Sequence, residues 1–327
     1  MRKFSMIGIN NPIKLSIITA VYNRVEMIED AIISVLDQWN EEMEHIIIDG
    51  GSTDGTLDVL KKYPHLIIIS EPDSGIYDAW NKGIKAAKGK YITFLNSDDL
   101  WFSNVVEQIL DQLNGCKEII ITNAVIYEYS GNNSQTFYKR YDSLKGEQLL
   151  SSLINRPPAI NAWIISKEVF NSVGEFDTHF TIAADVDFCI RALLKNIQTI
   201  QIDIDFYKYF SHPKSITLNR TRSVKYNYQY QNYLVATKLV NEEFIDHTNK
   251  IFIKRWLNVT CYNLLAHSLV LKKPSNEILT ILNIGTKNNI LFPISFLVYS
   301  IKYWMKKVTN GKLFKPKEKS RNYDSSQ

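Results

Sequence analysis

The chain has 327 residues, 45% of them hydrophobic and 22% charged, with a formal net charge of +4, the composition of an ordinary globular protein with room for one large domain and an appendage, or for two domains. Three scattered cysteines (Cys116, Cys189, Cys261) without a CxxC spacing exclude a disulfide frame and a zinc site. No run reaches the roughly 18 to 20 apolar residues of a membrane-spanning helix, and Met1-Arg2-Lys3 is not followed by a signal-type apolar run before Asn10-Asn11-Pro12, so the chain is expected to stay inside the cell.

In chain order, residues 14 to 128 alternate strand and helix patterns. Apolar runs at Leu15–Ala20, His45–Asp49, Leu66–Ser70, Lys90–Asn96 and Glu118–Ile126 predict strands, and stretches 26–38, 55–63, 76–88 and 103–113 predict helices. Such alternation predicts a parallel sheet covered on both faces. Polar segments follow the first, second and fourth strands: Thr19-Ala20-Val21-Tyr22-Asn23, Asp49-Gly50-Gly51-Ser52-Thr53-Asp54 and Asn96-Ser97-Asp98-Asp99. They should line one crevice at the carboxyl ends of the strands, where open α/β sheets bind ligands.

Asp98 and Asp99, paired at a buried strand's end, repel each other and lose hydration, a cost that a cation offsets; the plain alternative is capping of a following helix. In the glycine segment a ligand can approach the backbone closely, Ser52 or Thr53 can cap the next helix, and Asp49 can accept hydrogen bonds from an imide or a ribose. The alternative is a tight strand-to-helix turn. The segment is neither a GxGxxG fingerprint nor a Walker loop, so ordinary dinucleotide and ATP sites are not supported.

From about 130 to 215 the pattern is mixed. Asn132-Asn133 predicts a turn, Arg156-Pro157-Pro158 a loop, Ala162–Ser166 a short strand, 184–195 a helix and Thr199–Phe210 an extended strand. Asp185 and Asp187 fall at the start of that helix. A carboxylate is the natural base for a sugar hydroxyl, and capping is the alternative for one of the two.

Together, LSIITAVYNR, IIIDGGSTDGT, SEPDSGIYDAWNKGIKAAKG, FLNSDD and AADVDF resemble, in order and spacing over roughly residues 13 to 210, a glycosyltransferase of family 2 with a GT-A fold. The resemblance is nearest to bacterial enzymes of surface-polysaccharide synthesis that carry the EPDxGIYDAxNKG signature. It implies an α/β protein whose mostly parallel sheet has helices on both faces over residues 1–215, with a helical C-terminal region over 216–327. It further implies that Thr19, Val21 and Tyr22 flank the nucleotide base, that Asp49 hydrogen-bonds it, and that Ser52, Asn96 and Ser97 lie along the nucleotide. Asp78 and Lys82 would line the diphosphate or the donor sugar. Asp98 would bind a divalent cation, Mn²⁺ or Mg²⁺, with Asp99 assisting or contacting the sugar. Asp185 matches the general base, and Asp187 would support the acceptor loop. The implied reaction moves a sugar, with inversion, from a nucleoside-diphosphate sugar (a UDP-sugar foremost) to a hydroxyl of a glycan or polyprenyl-linked acceptor. Two departures stand out. Asn96 holds a place that is often Asp, which weakens metal affinity, and Asn161-Ala162 replaces a frequent His-Gln pair.

Beyond 220 the strand pattern ends. Segments 222–243, 248–271 and 275–285 predict helices, with Pro274 and Asn288-Asn289 as breaks. Tyr226, Tyr230 and Tyr233 share a helical face that could stack on sugar rings, although packing between helices is the simpler reading. Residues 290–305, ILFPISFLVYSIKYWM, precede a tail in which 302–321 hold eight Lys or Arg and one acid. This predicts an amphipathic helix on an anionic membrane surface and a peripheral place on the inner face of the cell membrane; packing on the protein's own core is the alternative. His212 could reach a diphosphate or be a plain surface histidine. A nucleotidyltransferase would need a glycine-rich basic loop where Ala20–Val25 stand, and nucleic-acid binding has only the basic tail behind it. A catalytically weak scaffold rests on Asn96 alone.

Overall fold

A computed structural model of the chain describes residues 12–113, 118–129, 135–142, 158–211, 221–271 and 273–289, with 150, 152, 153 and 297 besides. The Asn132-Asn133 turn, Arg156-Pro157, His212, Cys116, the segment 290–305 expected to be an amphipathic helix (residue 297 apart) and the basic tail lie outside the described residues.

Strands β1 (Leu15–Val21), β2 (Met43–Asp49), β3 (Leu66–Ser70) and β4 (Tyr91–Phe94) alternate with helices α1 (Ile28–Leu36), α2 (Thr56–Leu60) and α3 (Ile76–Ala86). After β5 (Leu100–Trp101) and α4 (Val106–Leu113) come β6 (Ile119–Tyr129), β7 (Gln135–Tyr141), a 3₁₀ turn at Ile160–Ala162, β8 (Trp163–Ser166), α5 (Lys167–Val173), α6 (Ala184–Leu194) and β9 (Thr199–Ser211). Helices α7 (Arg222–Val240), α8 (His247–Val270) and α9 (Ser275–Asn288) follow.

All nine strands among the described residues join one sheet in the order β3-β2-β1-β4-β8-β6-β9-β5, with β7 also on β6. The run β3-β2-β1-β4 is parallel. Beyond β4 the sheet is mixed, because β8 runs antiparallel to both β4 and β6 while β9 is parallel to β6. Val21 pairs with Asp49 and Asp49 with Ser70, so the loops after β1, β2 and β3 leave from one level.

Successive strand residues face opposite sides, and both sides are buried. Ile18 packs with α3, α5, α6 and the C-terminal helices in one core, whereas Ile17 packs with α1 and α4 in another. Helices α7 and α8 bring Tyr233, Leu239, Trp256 and Leu264 into the same core as Phe94 and Phe188. Gly83 is where α3 comes closest to β1, since a Cβ there would sit 2.4 Å from Ile18 Cγ2. The two remaining described cysteines, Cys189 and Cys261, are buried free thiols. Among the described residues no helix is long and apolar enough to cross a membrane.

Candidate active site

The carboxyl ends of β1, β2 and β4 open on a cavity of about 670 Å³. Its wall runs along the sheet order, from Tyr22, Arg24 and Gly50 after β1 and β2, through Asn96–Asp99 after β4, to Ile126 on β6 and Tyr209 on β9. Gly50 is required by close approach: a Cβ would lie 2.6 Å from Asp73 Oδ2, so its absence lets the 71–75 loop close on the glycine segment. Asp73 in turn accepts a bond from the Gly75 N–H at 2.9 Å.

Asp98 and Asp99 do not cap a helix; the chain passes into β5 and α4 starts only at Val106. Their environments differ. Asp99 is buried, with Oδ2 accepting from Asn96 Nδ2 and the Tyr207 hydroxyl, both at 2.9 Å, and Oδ1 accepting from the Phe210 N–H at 2.8 Å. Burial, then the neighbouring Asp98 charge, hold its carboxyl above the ordinary range against the pull of those donors. Asp99 thus ties the end of β4 to β9, and both its oxygens are occupied. Asn96 is oriented the same way: its amide nitrogen goes to Asp99 and its Oδ1 accepts from Asn161 Nδ2 at 3.2 Å. Asn161 Oδ1 accepts from the Tyr209 hydroxyl at 2.9 Å, which closes the network across the wall. Asp98 is the half-buried carboxylate of the pair that faces the cavity.

Among the described residues no group of three or more His, Cys, Asp or Glu forms a cation cage. One carboxylate still fits a hard cation whose other ligands come from phosphates and water. The charge on the wall favours this arrangement. Asp73, Asp98, Asp99 and Asp185 face the cavity with Arg24, so an anionic ligand entering it would need a cation brought with it.

Asp185 lies on the far side, in the first turn of α6. Its Oδ1 accepts from the Tyr77 hydroxyl at 3.0 Å and from its neighbour's N–H (Val186) at 2.9 Å. The single Tyr77 proton is shared with the Ile182 carbonyl, whose oxygen lies 2.8 Å from the hydroxyl. Burial pushes the Asp185 carboxyl up to about 6, and the two donors oppose that rise. The carboxylate is only half-buried because it faces the cavity. It is placed to take a proton near neutral pH.

Val21, Tyr22, Asn96, Ser97, Asp98, Asp99 and Asp185 are thus brought to one cavity. The structure places Thr19, Asp49, Ser52, Asp78 and Lys82 behind the wall. Thr19 Oγ1 pairs with buried His45 Nε2 at 2.9 Å. Asp49 accepts from the Gly51 and Ser52 N–H groups and, at 2.7 Å, from Ser70 Oγ, so it shapes the glycine turn. Ser52 accepts from the Asn23 N–H at 2.8 Å instead of capping α2, whose N-cap is Gly55 and which has no side-chain cap. Asp78 accepts from the Ser74 N–H at 3.0 Å. Lys82 pairs with Glu71 at 3.0 Å and donates to the Pro72 carbonyl at 2.7 Å. These two brace the 71–75 loop rather than reaching past it. Asp187 is fully buried and paired with Arg191 at 2.8 Å and Lys238 at 3.2 Å, and it too lies off the wall.

Sequence reasoning missed Tyr77, Asp73, Arg24 and Tyr228. The first two stand inside SEPDSGIYDAWNKG and Arg24 inside AVYNR, so their positions were visible but not their partners. Tyr228 had no such signal. It sits about 200° round α7 from Tyr226, on the side away from the tyrosine stripe. Tyr226 and Tyr233 are buried, Tyr226 donates to Glu277 on α9, and the ring centroids of Tyr226, Tyr230 and Tyr233 are 6.2 Å apart in succession. The stripe therefore packs helices.

The sequence model described as "Glycosyl transferase family 2" matches residues 16–173. The glycosyltransferase TuaG of Bacillus subtilis (strain 168), provisionally assigned to teichuronic acid biosynthesis, is 41% identical over 102 residues, 30% of this chain. The match spans only 40% of that relative's own length. Among solved structures, S. aureus TarS 1–349 in complex with UDP-GlcNAc superposes with a TM-score of 0.61 at 16% identity, covering 84% of this chain and 81% of that one. The mannosyltransferase PcManGT of Pyrobaculum calidifontis, in complex with GDP-Man and Mn²⁺, superposes with a TM-score of 0.56 at 13% identity, covering 93% and 88%. At such identities these structures share the fold.

Proposed function

We propose, from the match of residues 16–173 to the glycosyl transferase family 2 model, that the protein is an inverting glycosyltransferase. It takes a sugar from a nucleoside-diphosphate sugar, a UDP-sugar foremost, and passes it to an acceptor hydroxyl in surface-polysaccharide synthesis. The observation that carries this reading is the position of Asp185, poised near pH 6, across one cavity from Asp98 and the glycine segment.

In this reading the nucleoside lies at the Tyr22, Arg24 and Gly50 end and the donor sugar extends past Asp98 toward Asp185. A divalent cation, when bound, would be held by Asp98 and the donor's own diphosphate, and would stabilise negative charge on the leaving group. Asp99 and Asn96 keep the Asp98 loop in register through Tyr207 and Phe210. Asp185 takes the proton of the acceptor hydroxyl as its oxygen bonds to the anomeric carbon. The bond from that carbon to the diphosphate oxygen breaks, and the diphosphate leaves with its electron pair. A single displacement from the opposite face inverts the configuration. Tyr77 orients the base by donating to it.

UDP-GlcNAc in the TarS complex and GDP-Man in the PcManGT complex support nucleotide sugars as the first ligands to try. We also infer a catalytic unit over 1–215 carrying the helical region 216–327, and peripheral attachment to an anionic membrane through 290–321. Asp185→Asn should cut turnover by about 10²- to 10⁴-fold while nucleotide affinity, read by isothermal titration, stays within twofold. Equal loss of both would overturn the base assignment.

A further inference from the structure

The cavity extends beyond Asp185 into an end that no part of the family-matched region forms alone. Its wall is aromatic: Tyr141 from β7, Tyr209 and Phe210 from β9, and Tyr228 from α7. Residues 209, 210 and 228 lie past the matched segment, which ends at 173. Tyr228 belongs to a helix that otherwise faces α8 and the core, where Tyr233 and Leu239 are buried.

These side chains surround the base. Tyr209 is fixed by its hydroxyl bond to Asn161 Oδ1, and its ring lies 4.5 Å from that of Tyr207. Burial, and then the nearby Asp185 carboxylate among other groups, hold the Tyr228 phenol above its ordinary range. Among the described residues the charged groups that line the cavity beside these side chains are carboxylates, Asp185 and Asp99, the latter accepting from the Phe210 N–H at 2.8 Å. Arg24 belongs to the opposite end. Lys139 is exposed and stacks its ammonium 4.6 Å from the Tyr141 centroid without lining the cavity. Arg140, next to it, is paired with Asp142, Asp203 and Asp205.

We propose that Tyr228 and Tyr141 form the acceptor subsite and that it selects an uncharged sugar ring, presenting one hydroxyl to Asp185. The inference rests on the glycosyltransferase reading and deepens it. Aromatic faces suit the C–H surface of a pyranose, whereas a carboxylate or phosphate placed beside Asp185 on an apolar wall would be repelled and poorly solvated. The C-terminal helical region is then part of the site and sets its specificity, with Tyr228 as the residue that carries it.

The test is saturation-transfer NMR on the full chain loaded with UDP and Mg²⁺, using octyl β-glucoside and octyl β-glucuronide as probes. The glucoside should give ring-proton signal at least about fivefold above the glucuronide. That signal should fall to background in Tyr228→Ala, persist in Tyr228→Phe, and weaken in Tyr141→Ala, which checks the opposite wall should Tyr228→Ala fail to fold. Equal signal from both probes, or undiminished signal in folded Tyr228→Ala and Tyr141→Ala, would overturn the subsite. Absence of a melting-temperature shift with UDP, GDP and dTDP in the wild type would instead count against the glycosyltransferase reading.

Discussion

At the scale of residues, the site depends on how two carboxylates are treated differently by their surroundings. Asp99 receives three donors and serves the architecture, while Asp185 receives two and remains open to the cavity. A base with a folded value of about 6 is half protonated at that pH and ionised above it. Turnover should therefore climb tenfold per unit below about pH 6 and level off above it. Tyr77→Phe removes a donor that favours the ionised form, so the acid limb should move to higher pH while nucleotide binding holds. A limb near pH 4, or one unmoved by Tyr77→Phe, would contradict this account. Neither Asp99's burial nor Tyr77's role was readable from the sequence, because their partners Phe210 and Asp185 lie 111 and 108 residues away.

At the scale of elements, β1 to β4 and the helices between them follow from their patterns. Apolar runs bounded by Gly, Asp and Pro leave little else for a chain that must bury both faces of a parallel sheet. Strand β9 and the three C-terminal helices also lie where periodicity puts them. The pattern failed at β5, β7 and α5. Two residues of β5 are too short to show alternation, and β7 reads QTFYKRY, whose polar and aromatic residues reflect an outer strand beside β6. The α6–α7 connection was equally hidden. Lys238 on α7 pairs with Asp177 at 2.7 Å and with buried Asp187 at 3.2 Å, and Arg191 completes the group. Burial alone would raise Asp177, but Lys238 and then His179 outweigh it and hold the carboxyl at about 2. Its depressed value contributes stability that is present above the unfolded carboxylate value and lost as pH falls toward 2. Lys238→Ala should lower stability in urea by less than the ~3–5 kcal/mol of a fully buried pair, since Lys238 is one-third exposed, and Lys238→Arg should recover part of it. An unchanged midpoint for Lys238→Ala would show that the network does not join the two helices.

At the scale of the whole molecule, the proposed function couples a sugar-transferring cavity, lined in part by Tyr228 of α7, to membrane attachment through the basic end. The chain should co-sediment with vesicles containing anionic lipid at low salt and be released at about 1 M salt, where the Debye length is ~3 Å. Retention on neutral vesicles alone, or recovery in the supernatant with anionic ones, would remove the membrane partner. The central claim, a nucleotide-sugar site whose cation is held by Asp98, is tested most directly by thermal-shift titration of the full chain with UDP-, GDP- and dTDP-sugars, with and without Mn²⁺. The account predicts a rise in melting temperature for one nucleotide, a larger rise with Mn²⁺, and loss of the Mn²⁺ increment in Asp98→Asn. No shift with any donor in either condition, or an Mn²⁺ increment that survives Asp98→Asn, would contradict it.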